Sequence, residues 1–330
     1  MSTQTTAPES RVDPGTPDPR PRRRLDGAWF ARNGVYLALL VLVIVNVVIT
    51  PYFVSASNLR LQLIQTAPVL IVALGMALVI GTKGIDLGVG SVMALSAAIM
   101  PLYIGYGTLP AILIGVAAGL VTGFLSGTLV ARLGLQPIVA TLAVLVGGRG
   151  LANVIGGQIK NLSDPGLVSL GSGSVVGIPY TVLIAAIVFV LVWFTVRRTT
   201  FGRALEAIGG NPRAAELAGL RIKRTLVTVY IVCGVLAAFA GVLAAARSQA
   251  SDPRTLGLLM ELNAIAAVVI GGTPLSGGKI RAVGTVAGAL LMQLIVSTLV
   301  AHDIPDSVAQ MIQAAVIVIA VYVQLGRKKA

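Results

Sequence analysis

Long uninterrupted apolar runs dominate this sequence and restrict the chain to a membrane fold. Ten such runs are present, and several approach the about 20 residues that an α-helix needs to cross a bilayer. Their approximate bounds are 34–51, 66–82, 88–106, 109–131, 137–156, 179–196, 225–245, 262–273, 282–301 and 307–325. The runs are continuous and do not alternate over ten residues, which argues against a transmembrane β-barrel. The sequence therefore predicts an all-α, polytopic membrane protein with about ten transmembrane helices.

Composition supports a membrane protein and excludes a soluble one. Of the 330 residues, 56% are hydrophobic and only 11% are charged, whereas charged residues make up about a quarter of a typical soluble chain. The single cysteine, Cys233, lies inside an apolar run, so no disulfide can form within the chain. We expect Cys233 to be a small packing residue.

The first segment, residues 1–28, is rich in Pro, Thr, Ser and Arg and has no apolar periodicity. We expect it to be a disordered cytoplasmic tail, followed by a single transmembrane domain over residues 29–330. An arginine cluster within residues 20–24 immediately precedes the first apolar run. We interpret this cluster as a cytoplasmic anchor that favours anionic membrane lipid.

Positive charge is distributed unevenly between the two predicted sides of the membrane. With ten spans and a cytoplasmic start, the N- and C-termini are both cytoplasmic, and all but five of the 25 Lys and Arg residues fall on that side. This excess follows the positive-inside rule and supports an even number of spans. The five outer residues are Arg60, Arg149, Lys160, Arg247 and Arg254. Topology thus explains the net charge of +13, and no nucleic-acid partner is needed.

A stretch rich in glycine and charge, residues 79–91, interrupts the membrane pattern after the second run. It contains Lys83, Asp86 and four glycines. A charged side chain in hydrocarbon costs on the order of 3 kcal/mol, and glycine in a helix interior costs about 1 kcal/mol relative to alanine. The residues alone leave two interpretations open: a functional break between helices, or a tight cytoplasmic turn with solvated charges. Topology places the stretch at or near the cytoplasmic end of the second span.

The predicted cytoplasmic segment 197–224 is longer than most connectors between helices. Asn211 followed by Pro212 matches an N-cap with proline at the first helical position, and Gly219 fits a C-terminal stop. Residues 214–217 between them are good helix formers. We therefore expect a short polar helix that docks a cytoplasmic partner, with a passive connector as the alternative.

A second glycine-rich break occupies residues 270–279. It lacks the spacing and the Gly-Lys-Ser/Thr ending of a P-loop, so it predicts no nucleotide site. Both breaks follow a Val-Ile-Gly ending, at residues 79–81 and 269–271. Paired broken spans in the two halves of a membrane protein are typical of a translocation path in transporters.

Several motifs occur in a fixed order along the chain: GIDLGVGS at 84–91, QPIVATL at 136–142, RGL at 149–151, FGRALEAIGGN at 201–211 and GGTPLSGG at 271–278. Together with ten spans, these motifs resemble the permease subunit of bacterial ribose-type ABC sugar importers. The resemblance covers about residues 34–325. Thr82-Lys83 and Gly88 depart from the usual pattern, which often has another glycine before Gly84 and a serine in place of Gly88. The long Arg- and Pro-rich tail is an addition.

The resemblance implies a division of labour among several proteins in the bacterial inner membrane and on either side of it. This chain would bind no ATP and need no cofactor or metal, since a separate cytoplasmic ABC ATPase supplies the energy. An extracytoplasmic sugar-binding protein would deliver a monosaccharide. A second permease subunit, identical or related, would complete the pore.

Candidate residues for each of these roles follow from the motifs and the topology. The translocation path or its gate is expected to involve polar and break residues, namely Gly84, Asp86, Gln65, Asn153 and Asn263. The ATPase is expected to dock on the short polar helix and its flanks, at Asn211, Arg213, Ala215, Glu216, Leu217 and Gly219. The binding protein is expected to meet outer arginines, namely Arg60, Arg149, Arg247 and Arg254, although each could simply be interfacial.

Three alternative functions remain open from the residues. An ABC permease for another small solute, such as a branched-chain amino acid or an autoinducer-like molecule, would have the same layout. An ion-coupled secondary transporter usually needs carboxylates inside its spans, and Asp86 is the only serious candidate. A membrane enzyme is disfavoured, because the single histidine, His302, lies in a short predicted outer turn and no metal-binding or triad spacing is present.

Overall fold

The computed structural model describes residues 27–326, and this part of the chain is built almost entirely from α-helices. The helices are α1 (Gly27–Ile49), α2 (Ala56–Gly81), α3 (Val89–Ile99), α4 (Thr108–Ala131), α5 (Pro137–Gly156), α6 (Pro165–Ser172), α7 (Tyr180–Arg198), α8 (Thr200–Gly210), α9 (Pro212–Leu217), α10 (Ile222–Ser248), α11 (Met260–Ile270), α12 (Ala282–Ala301) and α13 (Asp306–Gly326). A 3₁₀ helix, Met100–Tyr106, continues α3. The predicted tail lies outside the described residues apart from its last two positions.

Within residues 27–326, seven helical segments are long and apolar enough to cross a membrane. They are α2, α3 with its 3₁₀ extension, α4, α5, α7, α10 and α12. Shorter apolar helices cover 34–49, 260–270 and 307–316. The all-α, polytopic prediction is therefore confirmed. The total of ten spans and the cytoplasmic position of both termini stay predictions.

Helix α2 is the centre of the bundle. From Thr66 to its end at Gly81 almost every residue is buried, and Ile71, Leu74 and Met76 are fully enclosed. It packs against α7, α8, α10, α11 and α12. A helix that is apolar on all sides belongs at such a position, because no face of it requires water. Both helix breaks are attached to this centre, as described below.

Helices α4 and α10 approach closely along a row of glycines on α4. Gly119 and Gly123 are buried, and a methyl group at Gly119 would overlap the carbonyl oxygen of Gly234. In return, a methyl group at Gly234 would overlap the carbonyl oxygen of Gly119. Small residues four positions apart allow membrane helices to pack backbone against backbone. This seam fixes α10, at whose first residues the predicted cytoplasmic segment ends, against the rest of the bundle.

The Gly- and Ser-rich segment between α5 and α7, residues 157–178, contains regular structure. Asp164-Pro165-Gly166 in this segment matches a turn signal, but it starts α6, with Asp164 as the N-cap and Pro165 at the first helical position. Two short antiparallel pairs complete the region: β1 (Lys160–Asn161) with β4 (Ala250–Ser251), and β2 (Ser174–Val175) with β3 (Ile178–Pro179).

Candidate gate and coupling surface

The first helix break joins α2 to α3 and begins with a capped helix end. After Gly81, Lys83 adopts a left-handed conformation, with φ of 67°. The backbone N–H groups of Lys83 and Gly84 donate to the carbonyls of Ile80 and Val79 at 2.9 and 3.1 Å. These bonds satisfy carbonyls that the end of a helix otherwise leaves free. The break is therefore an ordered structure and not a frayed helix end.

Asp86 is buried inside this break, with only 4% of its surface exposed. Its Oδ1 accepts a hydrogen bond from the backbone N–H of Gly88 at 2.9 Å, one residue before α3 begins. The thiol of Cys233 on α10 lies close enough to interact with this carboxyl group. Lys83, in contrast, is exposed. The two charged residues thus occupy different environments, and the solvated-turn interpretation describes Lys83 but not Asp86.

The second break, between α11 and α12, is a compact loop over residues 271–281. Gly272, Gly277 and Gly278 all have positive φ, between 72° and 87°, which residues with a side chain rarely adopt. The hydroxyl oxygen of Thr273 accepts a hydrogen bond from the backbone N–H of Arg281 at 3.0 Å. This bond closes the loop across its base.

The two breaks meet each other and the end of α8 at one place, which we call the inner junction. The backbone N–H of Gly278 donates to the carbonyl of Gly81 at 3.0 Å. A methyl group at Gly209 would overlap that same carbonyl oxygen, so α8 lies directly against it. The Nζ of Lys83 donates to the carbonyl of Gly210, the last residue of α8, at 3.3 Å. Three segments that are far apart in sequence therefore share one contact point.

The predicted short helix is confirmed as α9. The Oδ1 of Asn211 accepts from the N–H of Ala214 at 3.1 Å, Pro212 is the first helical residue, and Gly219 has a φ of 80°. Leu217 is 86% exposed, whereas Ala215 is buried against its own chain. The remaining residues proposed for docking are exposed: Asn211, Arg213, Glu216 and Gly219. Helix α8, which precedes α9, was not predicted.

The four outer arginines fall into two environments. Arg60, Arg247 and Arg254 are exposed. Arg149 is half-buried on α5, and its Nη1 donates to the carbonyls of Pro253 and Leu256 at 3.1 and 2.7 Å. Its guanidinium therefore holds the loop between β4 and α11.

The polar residues proposed for the path lie on three different helices, α2, α5 and α11. Gln65 on α2 accepts a hydrogen bond from the side-chain amide of Gln293 on α12 at 2.8 Å. Asn153 is exposed on α5, and Asn263 is half-buried on α11. Within the described residues, hydrogen bonds connect none of these three to another. Gly84 and Asp86 share the first break, but Gln65 lies some four turns earlier along α2.

Glu206 on α8 is a residue whose position sequence reasoning missed. Its Oε1 accepts a hydrogen bond from the backbone N–H of Ile280, in the second break, at 2.9 Å. The sequence did carry one signal for this packing: the apolar Leu205 and Ile208 lie three residues apart, as on one face of a helix. Both are buried in α8, so this face packs on the protein. The partner of Glu206 could not be derived, because nothing local indicates that residue 280 lies nearby.

These features define a class of protein: a helical membrane transport component with two helix breaks that meet beside a short exposed helix. The chain belongs to the family described as branched-chain amino acid transport system, permease component, which matches residues 58–321. It is accordingly a permease component of an ABC transporter, a multi-pass protein of the bacterial inner membrane, and its role is transport and not catalysis.

Known relatives are similar over three quarters or more of their length. The galactofuranose transporter permease protein of Escherichia coli K12 is 38% identical over 97% of this chain and 95% of its own. The ribose import permease protein of Bacillus subtilis 168 is 38% identical over 94% of this chain and 96% of its own. The fructose import permease protein of Bifidobacterium longum is 39% identical over 80% of this chain and 76% of its own. No solved structure matches the chain significantly.

Proposed function

We propose that this chain forms the translocation path for a monosaccharide in an ABC importer. The observation that supports this most is the similarity to the galactofuranose, ribose and fructose permeases, at 38–39% identity. An extracytoplasmic binding protein delivers the sugar, and a second permease subunit completes the pore. A separate cytoplasmic ATPase powers the cycle.

The exposed face of α9 is the proposed contact for the ATPase. Leu217 projects away from the protein as an apolar anchor, and the charged Arg213 and Glu216 flank it. Protein interfaces commonly have an apolar centre surrounded by a polar rim, and this arrangement matches that pattern. Of the outer residues, we propose Arg60, Arg247 and Arg254 for the binding protein, because their exposure leaves them accessible. Arg149 supports that surface from within.

Asp86 and Gly84 are proposed to form part of the gate at the inner junction. Gln65, Asn153 and Asn263 are proposed to contact the sugar along the path, because a neutral sugar requires hydrogen-bond donors and acceptors and not charge. Gln65 would have to exchange its bond with Gln293 for one with the sugar. In membrane proteins, such interhelical bonds are worth only about 0.6 kcal/mol on average, so the exchange is inexpensive.

Proteoliposomes that contain the permease, its ATPase and its binding protein test this function. Uptake of labelled galactose, ribose and fructose is measured separately, with and without internal ATP. We expect one of these sugars to accumulate only with ATP, and a protonophore to leave its rate unchanged. Uptake without the ATPase, driven by an ion gradient, would establish a secondary transporter.

A second candidate substrate is a branched-chain amino acid, because the family description names that class. Labelled leucine in the same proteoliposomes distinguishes the two. ATP-dependent uptake of leucine, with none of the three sugars, would replace the sugar proposal and leave the ABC assignment intact.

A further inference from the structure

We propose that Glu206 is a positioning residue that makes the second helix break move together with the ATPase-docking segment. The proposal rests on the proposed function, since it assumes that an ATPase engages α9. It assigns a role to a carboxylate that lies in neither break and outside the docking helix.

The direct contact is the hydrogen bond from the Ile280 N–H to the Glu206 carboxylate, at 2.9 Å. A hydrogen bond with an ionised acceptor is roughly twice as strong as a neutral one. Glu206 is half-buried, so water competes less for its oxygen than at an exposed site. Because the donor belongs to the backbone, the bond holds the chain of the break itself.

Ile280 in turn extends this attachment to the end of α2. Its side chain is buried, and it fills the space above Gly81 so closely that a methyl group at Gly81 would overlap it. The neighbouring Gly278 donates its N–H to the carbonyl of Gly81. A displacement of Glu206 therefore acts on the second break and, through Ile280 and Gly278, on the end of α2, which α8 also contacts directly at Gly209.

On the other side, Glu206 is coupled rigidly to the docking helix. Only Asn211 separates α8 from α9, and this residue is itself the N-cap of α9. The buried residues Leu205 and Ile208 hold α8 against the bundle. A push on α9 thus reaches Glu206 through one short helix and a one-residue link, without a flexible loop between them.

Cysteine labelling of the second break tests the proposal without requiring the transported solute. Lys279→Cys places a thiol at an exposed position beside Ile280, and the native Cys233 is buried and so gives little background. The permease–ATPase complex is labelled with a water-soluble maleimide, without nucleotide and in the ATP-plus-vanadate state. We expect the labelling rate to change between these two states.

Variants at position 206 then separate coupling from mere support. Glu206→Gln retains an acceptor oxygen at the same reach, so the nucleotide-dependent change should persist. Glu206→Ala removes the acceptor and should abolish the change while the ATPase remains bound. Glu206→Asp keeps the carboxylate but is one carbon shorter, so it should also lose the nucleotide-dependent change in labelling. This variant tests the proposal even where Glu206→Ala fails to fold. Ala207→Ser is the matched control on α8, because position 207 is exposed and lies outside the inner junction; its response should equal that of the parent.

Two results would overturn the proposal. One is a nucleotide-dependent change that survives in both Glu206→Ala and Glu206→Asp. The other is a parent complex in which the ATPase binds and hydrolyses ATP but the labelling rate at position 279 stays constant. Failure of the ATPase to bind the parent permease at all would instead contradict the proposed function, so the two failures can be told apart.

Discussion

At the scale of single residues, Asp86 shows how a buried carboxylate can serve structure within a membrane protein. Its Oδ1 accepts from Gly88 N–H at the start of α3, where a helix has free N–H groups. Asp86→Ala should lower the free energy of unfolding by about 1–3 kcal/mol, because it leaves this buried N–H without its acceptor. Asp86→Asn keeps an acceptor oxygen and should lose less. Thermal unfolding in detergent measures both.

An equal loss of stability in the two variants would contradict this explanation, because it would mean that the negative charge and not the hydrogen bond is required. Unchanged sugar uptake and unchanged stability in Asp86→Asn and Asp86→Ala alike would remove Asp86 from the proposed gate.

Arg149 provides a second prediction at this scale. Arg149→Ala leaves the carbonyls of Pro253 and Leu256 without their charged donor, and a lost bond of this kind costs about 1.5–3 kcal/mol. Hydrogen exchange of the amides in residues 250–258 should therefore become faster. The exposed Arg254→Ala serves as the control and should leave this exchange close to that of the parent. Equal exchange in Arg149→Ala and the parent would show that the loop does not depend on the guanidinium.

At the scale of elements, the close seam between α4 and α10 makes a sharp contrast between two glycines. Gly119→Ala places a methyl group against the backbone of Gly234, and such overpacking costs about 1–3 kcal/mol. Gly147 on α5 has nothing within 4 Å of the same added group. Gly147→Ala should therefore be neutral or stabilising by up to about 1 kcal/mol. In detergent, Gly119→Ala should lower the melting temperature, whereas Gly147→Ala should leave it unchanged or raise it. Equal shifts in the two variants would contradict the close approach of α4 to α10.

The N-terminus of α6 predicts a dependence of stability on pH. The hydroxyl of Thr108 donates to Asp164 at 2.7 Å and, with the N–H of Leu167, holds the pKa of that carboxyl below its usual value. A lowered pKa in the folded state stabilises the protein above the unfolded pKa, of about 4, and this contribution is lost as the pH falls through the folded pKa. Thr108→Val should bring the pKa of Asp164 closer to its usual value.

Melting curves between about pH 6 and about pH 3 measure this effect at carboxylate pKa values. The parent should lose more stability over that interval than Asp164→Asn, which does not titrate. Because Asp164 is largely solvated, the difference should be small, and it should shrink further in high salt. If Asp164→Asn lost more stability than the parent on acidification, that result would contradict the lowered pKa of Asp164.

The sequence was sufficient for those elements whose signals are local. Asn211-Pro212 predicted the start of α9, and the Val-Ile-Gly endings predicted where α2 and α11 stop, because caps and glycines act within a few residues. Helix α8 and the inner junction were not predictable, since both depend on contacts between Gly81, Gly209 and Gly278. Asp164-Pro165-Gly166 matches a turn signal as well as a helix start, and only the buried Leu167 that follows distinguishes the helix.

At the scale of the whole molecule, the exposed face of α9 predicts how the permease meets its ATPase. Leu217→Cys presents a thiol on the exposed face and should cross-link to the ATPase in membranes. Ala215→Cys is the matched control, because position 215 is buried against the chain and its thiol should react poorly. Capture of the ATPase by both variants would mean that α9 rotates on docking. Capture by neither, with transport intact, would remove α9 from the interface.

The inner junction also dictates the order in which this protein can be assembled. The end of α2 leaves the ribosome early, yet its carbonyl at Gly81 receives its partner only after Gly278 has been synthesised. Until then, α2 lies in the membrane without α11 and α12 packed against its apolar surface. A chain that terminates before residue 278 would therefore keep all of its earlier spans but lack the final closure. We expect the insertion machinery and membrane proteases to recognise such a chain as unfinished.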